Sequence, residues 1–207
     1  MKQTNGFIAR SVDLLFHPLC APVYIAAIYL WFNRLITLDT DVSLFFLIYI
    51  AVTVVVIPAA CFGLLLLSKI YSPRKSNTKR WLTFFVISIA FIFLAVSKSL
   101  VKVGAPWLLV DFFIWNVWFL FIYAVISFFV RLNYHAIAIG EMLGLYINFM
   151  HFGMSFNHLL LLALILIFGL VGFSQMKMNK CSSSIYYLSS ILGLLSSFAT
   201  FYYEIII

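Results

Sequence analysis

Long apolar runs, each able to cross a lipid bilayer, follow one another along the whole chain. A hydrocarbon layer of about 30 Å takes roughly 20 consecutive apolar residues in a helix, and a helix satisfies its backbone hydrogen bonds within one segment. Of the 207 residues, 65% are hydrophobic and only 9% are charged. A soluble core has no room for so many apolar side chains, so the sequence predicts an integral membrane protein made of helices.

Seven apolar segments mark the predicted helices. Pro18 and Pro22 interrupt the first, which begins either as a surface helix or as a broken one, and Pro58 is expected to bend the second. The sequence therefore predicts an all-α, polytopic bundle of six to seven membrane segments, in a single transmembrane domain over residues 1–207. The segments run from Leu14 to Phe32, Val42 to Leu67, Trp81 to Ser97, Pro106 to Val130, His135 to Met150, Asn157 to Phe173 and Ile185 to Ile207.

Basic residues are distributed unevenly between the two sides that these segments define. Short loops rich in Lys and Arg are retained in the cytoplasm, and a cytoplasmic N-terminus places ten of the thirteen basic residues there. The net charge of +7 then belongs to the cytoplasmic face, where it attracts anionic membrane lipids. Nucleic acid is excluded as a partner because no soluble domain presents the charge. The cytoplasmic set is Lys2, Arg10, Lys69, Arg74, Lys75, Lys79, Arg80, Arg131, Lys177 and Lys180.

Cysteine spacing gives no sign of a cofactor or a metal site. Cys20, Cys61 and Cys181 lie far apart and form no Cys-x-x-Cys pair. Neither a disulfide framework nor a structural zinc site is therefore predicted. No cofactor and no metal ion is expected.

Three ionisable side chains stand close together within the apolar stretch from Phe128 to Gly144. They are Arg131, His135 and Glu141. Ionisable groups inside membrane segments are costly and indicate function by default. A lone carboxylate in hydrocarbon costs several kcal/mol, so Glu141 is predicted to have a basic or hydrogen-bonded partner inside the bundle.

Two glycines in the same stretch form a pair of small residues four positions apart, Gly140 and Gly144. Such pairs typically let two membrane helices approach closely. The face that carries them, together with Glu141, is therefore predicted to pack against another helix or a partner protein.

The order of these features resembles the type 2 phosphatidic acid phosphatase family, in a bacterial branch. The family has three motifs, Lys-x6-Arg-Pro, Ser-Gly-His and Ser-Arg-x5-His-x3-Asp, and the branch opens with Phe-His-Pro-Leu, as residues 16–19 do here. Its second motif corresponds to Phe129–His135, followed by Gly140 and Gly144. The resemblance implies a lipid-phosphatase-like bundle in a bacterial inner membrane.

The resemblance also implies which chemistry has been lost. Family members use a histidine nucleophile, an Arg and Lys cage for the phosphoryl oxygens, and a second histidine as general acid, which aligns with His135. In the third motif Gln175 stands at the arginine, Cys181 at the nucleophilic histidine and Ile185 at the orienting aspartate. A catalytic Cys181 is disfavoured because three serines follow it, where cysteine phosphatases need a phosphate-cradling loop.

The region that corresponds to the first motif is basic, but its basic residues do not have the spacing of the family motif. Arg80 aligns with the motif arginine, but Trp81 replaces the proline that should follow. The phosphate- or headgroup-binding candidates are therefore Arg74, Lys75, Lys79, Arg80 and Arg131.

Three functions remain open at this level. The first is a catalytically inactive scaffold or accessory subunit that binds other integral membrane proteins, for example in export or envelope assembly. The second is an active lipid phosphatase or phosphotransferase that uses His135 in a rearranged cage. The third is a protein that binds or transports a lipid headgroup without cleaving it.

Overall fold

A computed structural model of the chain describes residues 2–32, 39–67, 78–151 and 157–202. Every regular element in these ranges is helical, which confirms the predicted all-α class. The chain forms two compact units: unit 1 comprises Met1–Thr37 and Leu132–Ile207, and unit 2 comprises Leu38–Arg131. In chain order the α-helices are α1 (Lys2–Leu15), α2 (Ala21–Phe32), α3 (Thr40–Ala51), α4 (Ile57–Leu67), α5 (Thr78–Lys102), α6 (Trp107–Phe129), α7 (Tyr134–His151), α8 (His158–Lys177) and α9 (Ser183–Tyr202).

A proline divides the first apolar segment into two helices. Between α1 and α2 lies a 3₁₀ turn over Pro18–Cys20. His17 precedes the turn with extended backbone and accepts a hydrogen bond from the Leu19 N–H through Nδ1, at 3.3 Å. Residues before proline avoid the α-helical conformation, so Pro18 fixes the position of the break.

The second apolar segment changes its winding just before Pro58. A π turn over Val52–Val56 joins α3 to α4, and the Ile57 N–H donates to the Val52 carbonyl. Proline has no N–H, so the carbonyl of Val54, four residues earlier, lacks its α-helical donor. A π turn is one way in which a helix absorbs such a disruption.

In unit 2, α5 and α6 pack together along their aromatic and small polar residues. The rings of Phe93 and Phe113 meet edge to face with centroids 5.2 Å apart. The hydroxyl oxygens of Thr83 and Ser127 lie 3.3 Å apart. Both kinds of contact are usual between membrane helices, where packing and interhelical hydrogen bonds replace the hydrophobic effect.

In unit 1, α7 and α9 approach so closely that glycine is required on both. A Cβ on Gly140 would overlap the Ser190 carbonyl oxygen, and one on Gly193 would overlap the Ile137 carbonyl oxygen. A Cβ on Gly144 would collide with the Ser197 side chain. We call this contact the glycine seam. It is the kind of backbone approach that small residues permit between membrane helices.

Within the part of the chain that the structure describes, five segments are long and apolar enough to cross a membrane. Neither α7 nor α9 is among those found in the described ranges. Their polar residues face inward: Glu141 and Asn148 on α7 are buried, and Asn148 Nδ2 donates to the Ser197 carbonyl at 2.8 Å. The predicted total of six to seven spans stays a prediction. The five segments are Gly6–Trp31, Thr40–Cys61, Thr83–Lys102, Trp107–Phe129 and His158–Lys177.

Candidate functional site

A single carboxylate, that of Asp13 in α1, receives side-chain donors from three other parts of unit 1. Lys180 Nζ lies 2.8 Å from Oδ1 and 2.7 Å from Oδ2. Gln175 Nε2 donates to Oδ1 at 2.6 Å, and His135 Nε2 lies 3.2 Å from the same oxygen. We call these residues, with Asn133, the Asp13 cluster. It ties α1 to the start of α7, the end of α8 and the loop after α8.

Asn133 positions the cluster from the N-terminus of α7. Its Oδ1 accepts the Ala136 N–H at 3.0 Å, which is the usual capping bond at a helix start. Its Nδ2 donates to Gln175 Oε1 at 3.0 Å, and its own N–H donates to Ser189 Oγ at 3.0 Å. With the oxygen of Gln175 engaged in this way, the amide nitrogen is directed toward the carboxylate.

The end of α8 brings Lys180 back toward Gln175. Asn179 has a positive φ of 54°, a left-handed conformation that asparagine tolerates better than most residues. The Lys180 N–H donates to the Gln175 carbonyl and the Asn179 N–H to the Met176 carbonyl, both at 3.0 Å. These two bonds are the Schellman arrangement of a helix C-terminus, and they place the Lys180 side chain beside its partner.

His135 is held against α1 by a ring nitrogen that faces two acceptors. Its Nε2 lies 3.2 Å from Asp13 Oδ1 and 3.3 Å from the Asp13 carbonyl oxygen. Since neither neighbour donates, Nε2 carries a proton whether the imidazole is neutral or charged. The ring also meets His17 edge to face, with centroids 5.5 Å apart.

The electrostatics of the cluster oppose the binding of an anion. One Lys180 ammonium neutralises one Asp13 carboxylate, and the side chains of these residues are 43% and 20% exposed. Gln175, which is 1% exposed, adds no charge. A phosphoryl group approaching His135 would meet the carboxylate 3.2 Å from Nε2, whereas phosphoryl transfer needs fixed positive charge around the phosphate.

Two of the predicted remnant positions, His135 and Gln175, are brought together through Asp13. The third, Cys181, is half-buried and packs against an apolar cluster that includes Val171 and Tyr186. Cys181 therefore packs beside this apolar cluster, although the residue before it, Lys180, belongs to the Asp13 cluster.

The predicted headgroup residues lie elsewhere in the chain. Arg131 is exposed and belongs to unit 2. Lys79 and Arg80 lie in the first turn of α5, and their side chains are outside the described part of the structure, as are residues Arg74 and Lys75 entirely. Convergence of these residues into one pocket stays a prediction.

The predicted packing residues all lie in the interface between α7 and α9. Gly140 and Gly144 form the α7 side of the glycine seam. Glu141 is buried, and a Cβ on Gly193 would lie 3.0 Å from its backbone nitrogen. The helix that these glycines meet is therefore within the same chain. The predicted partner for the Glu141 carboxyl group stays a prediction.

Sequence reasoning missed the central residue, Asp13. It stands one position before the predicted first segment, which begins at Leu14, and no role was predicted for it. A signal was present: Asp13 is one of only six acidic residues, and it lies four residues after Ala9, on the same face of a helix. Ala9 is buried against α8, where its carbonyl accepts from Ser174 Oγ at 2.7 Å.

The site offers hydrogen-bond donors and one charge pair. Within the described ranges, no three His, Cys, Asp or Glu side chains are grouped so that they could hold a metal ion. Comparison with protein families, with curated proteins and with solved structures gives no match to this chain.

Proposed function

We propose that this protein is a noncatalytic relative of the type 2 phosphatidic acid phosphatases that acts as a scaffold or accessory subunit of a membrane complex. The observation that carries the proposal is the contact of the Asp13 carboxylate with Lys180, Gln175 and His135. A catalytic cage needs these donors free to bind phosphate. Here they are engaged by an acid of the chain itself, in a cluster that joins helices.

The absence of a nucleophile at the aligned position supports the same proposal. Cys181 is half-buried against a cluster that includes Val171 and Tyr186, and three serines follow it where a cysteine phosphatase needs a phosphate-cradling loop. Nucleophile and cage act as a unit in catalysis, so the loss of one removes most of the acceleration. What remains is a helical framework whose helices are joined by the Asp13 cluster.

We also propose that the protein lies in a bacterial inner membrane with its N-terminus in the cytoplasm. The support for this is the concentration of basic residues in the loops that this orientation retains inside. Labelling with a membrane-impermeant thiol reagent tests it, in protein whose three native cysteines are replaced by alanine. We expect Asn77→Cys to react from the cytoplasmic side and Ser155→Cys from the outside. Labelling of Ser155→Cys from the cytoplasm would overturn the orientation.

We expect the purified protein to release no phosphate from phosphatidic acid or undecaprenyl pyrophosphate above the background of a matched membrane extract. The reason is that Lys180, which shares the Asp13 carboxylate with His135, is paired with that carboxylate, and a cysteine stands at the aligned position of the nucleophilic histidine. Cys181→Ala should leave cell function intact. Robust turnover that His135→Ala abolishes would identify a divergent enzyme and end the proposal.

The proposed scaffold role is tested separately, by whether the purified protein carries partner proteins with it. Protein extracted from native membranes in mild detergent should migrate as a complex with other integral membrane proteins, in fixed proportion. A variant with a disrupted glycine seam should lose them, whereas Cys181→Ala should keep them. Migration of the unmodified protein alone, with cell function intact, would contradict a scaffold role.

A second candidate, an active lipid phosphatase or phosphotransferase, is favoured by one contact. Asp13 Oδ1 lies 3.2 Å from His135 Nε2, and a carboxylate that orients an imidazole is a common element of general acid and base catalysis. If that pair were catalytic, Asp13→Asn would lower turnover while leaving substrate affinity nearly unchanged. The phosphate-release assay separates this candidate from the first.

A further inference from the structure

The outward face of α1 is apolar, whereas the face that meets the bundle carries a charge. Phe7 and Leu14 are 74% and 75% exposed, and Ile8 and Leu15 are also exposed. Asp13 points inward to Lys180 and Gln175. Ala9 and Val12 also pack inward, so α1 has apolar side chains on both its inward and its outward face, whereas a helix on a soluble protein has its apolar stripe only on the core side. Side chains as large and exposed as these need an apolar phase to cover them.

The contacts of α1 show that it crosses the end of α8. Ala9 contacts Ser174, and Asp13, one helical turn later, contacts Gln175 and Lys180. A turn of α1 advances about 6 Å along its axis, yet both contacts fall within the last turn of α8 and the loop that follows. Further along the chain, Asp13 and His17 meet His135 at the start of α7, so this segment passes from the end of α8 to the beginning of α7.

This crossing places α1 at the boundary between hydrocarbon and water. The apolar span His158–Lys177 ends where the contacts of α1 lie. Two exposed basic residues are close in sequence to these contacts: Arg10 follows Ala9, and Lys177 ends α8. A helix with an exposed apolar face, flanked by basic residues at the end of a span, has the properties of an interfacial helix. Basic residues near the surface each attract anionic lipid by about 1 kcal/mol.

We infer that α1 is a membrane-surface helix, with its outward face covered by the acyl chains of one leaflet. Arg10 and Lys177 then lie among anionic headgroups. The Asp13 cluster fixes the rotation of α1 so that its apolar face points to lipid. The break at Pro18 marks the change from the surface to the path of α2. This assignment does not depend on whether the protein is a scaffold or an enzyme.

Spin-label depth measurements on the full chain test the inference. Phe7→Cys, Ser11→Cys and Leu14→Cys are made singly in a background without native cysteines and reconstituted into vesicles of phosphatidylcholine and phosphatidylglycerol. All three positions are exposed, so labels are tolerated there. Collision rates with oxygen and with a water-soluble nickel chelate give the depth of each label. We expect the three depths to agree within about 5 Å, one turn of helix rise, and Arg10→Cys to be shallower.

The other outcomes each overturn the inference. If Gly6–Trp31 is a continuous transmembrane path, the depths at positions 7 and 14 will differ by about 10 Å, since seven residues rise about 1.5 Å each. Labels shielded from both reagents would mean that a protein covers the face, and labels open to the chelate would place it in water. Leu166→Cys, an exposed site within α8, provides the deep reference.

Discussion

Gly140→Ala should lower the free energy of unfolding by about 3 kcal/mol. One methyl group has this effect because it would overlap the Ser190 carbonyl oxygen. That oxygen belongs to the backbone of α9 and has no rotamer by which to move aside. The yield of monodisperse protein in mild detergent, with its thermal unfolding temperature, measures the effect.

The chain contains a matched control for this change in Gly169. It is also a glycine within a helix, α8, but a Cβ there meets no atom within 4 Å. Gly169→Ala should therefore leave the unfolding temperature unchanged or raise it slightly, since alanine favours a helix by up to about 1 kcal/mol over glycine. Equal behaviour of the two variants would show that α7 and α9 do not meet at the glycine seam.

Asp13→Ala should destabilise the protein by about 2–3 kcal/mol, most of it from one buried amide. Gln175 is 1% exposed, and its Nε2 would lose its acceptor, which costs about 1–3 kcal/mol for a buried donor. Lys180 contributes less, because its side chain is 43% exposed and water replaces the carboxylate. Thermal or denaturant unfolding in detergent measures the loss.

A double-mutant cycle separates the cluster from a general effect of removing charge. Lys180→Ala should cost less in protein that already carries Asp13→Ala than in the unmodified protein, because the shared contact is gone. Asp41→Ala, at an exposed acid in the first turn of α3, should have no measurable effect. Strict additivity of Asp13→Ala and Lys180→Ala would refute the described ion pair.

The helical fold could be predicted from the sequence because its signals are local. Runs of apolar residues, a proline at position 18 and glycines four apart each act within one or two helical turns. Helix limits were less predictable: α5 continues to Lys102, past the predicted end at Ser97. The predicted segment stops just before Lys98, yet lysines are favourable in the last turns of a helix.

The candidate site could be predicted only in part because its contacts are distant in sequence. Asp13 meets His135, Gln175 and Lys180 across separations of 122 to 167 residues. No pattern within a few residues of Asp13 predicts contacts with residues so far away in sequence. The resemblance to a phosphatase selected His135 and Gln175 but assigned no role to an acid in the first helix. The same limit applies to the glycine seam, whose α7 side is visible in sequence as a pair and whose α9 side is a single glycine among serines.

The separation between Asp13 and its partners also sets an order of assembly. At about 5–20 residues per second, the ribosome needs roughly 8–30 s to proceed from Asp13 to Lys180, 167 residues later. During that interval all of unit 2 is made, and of the three side-chain donors only His135 is in the chain before Gln175 and Lys180 are added. A helix lying at the membrane surface tolerates this delay, because the Asp13 carboxylate stays in contact with water there. Docking of the first helix on α8 is then a late step of biogenesis, and a nascent chain stalled before α8 would lack the contacts with Ser174, Gln175 and Lys180.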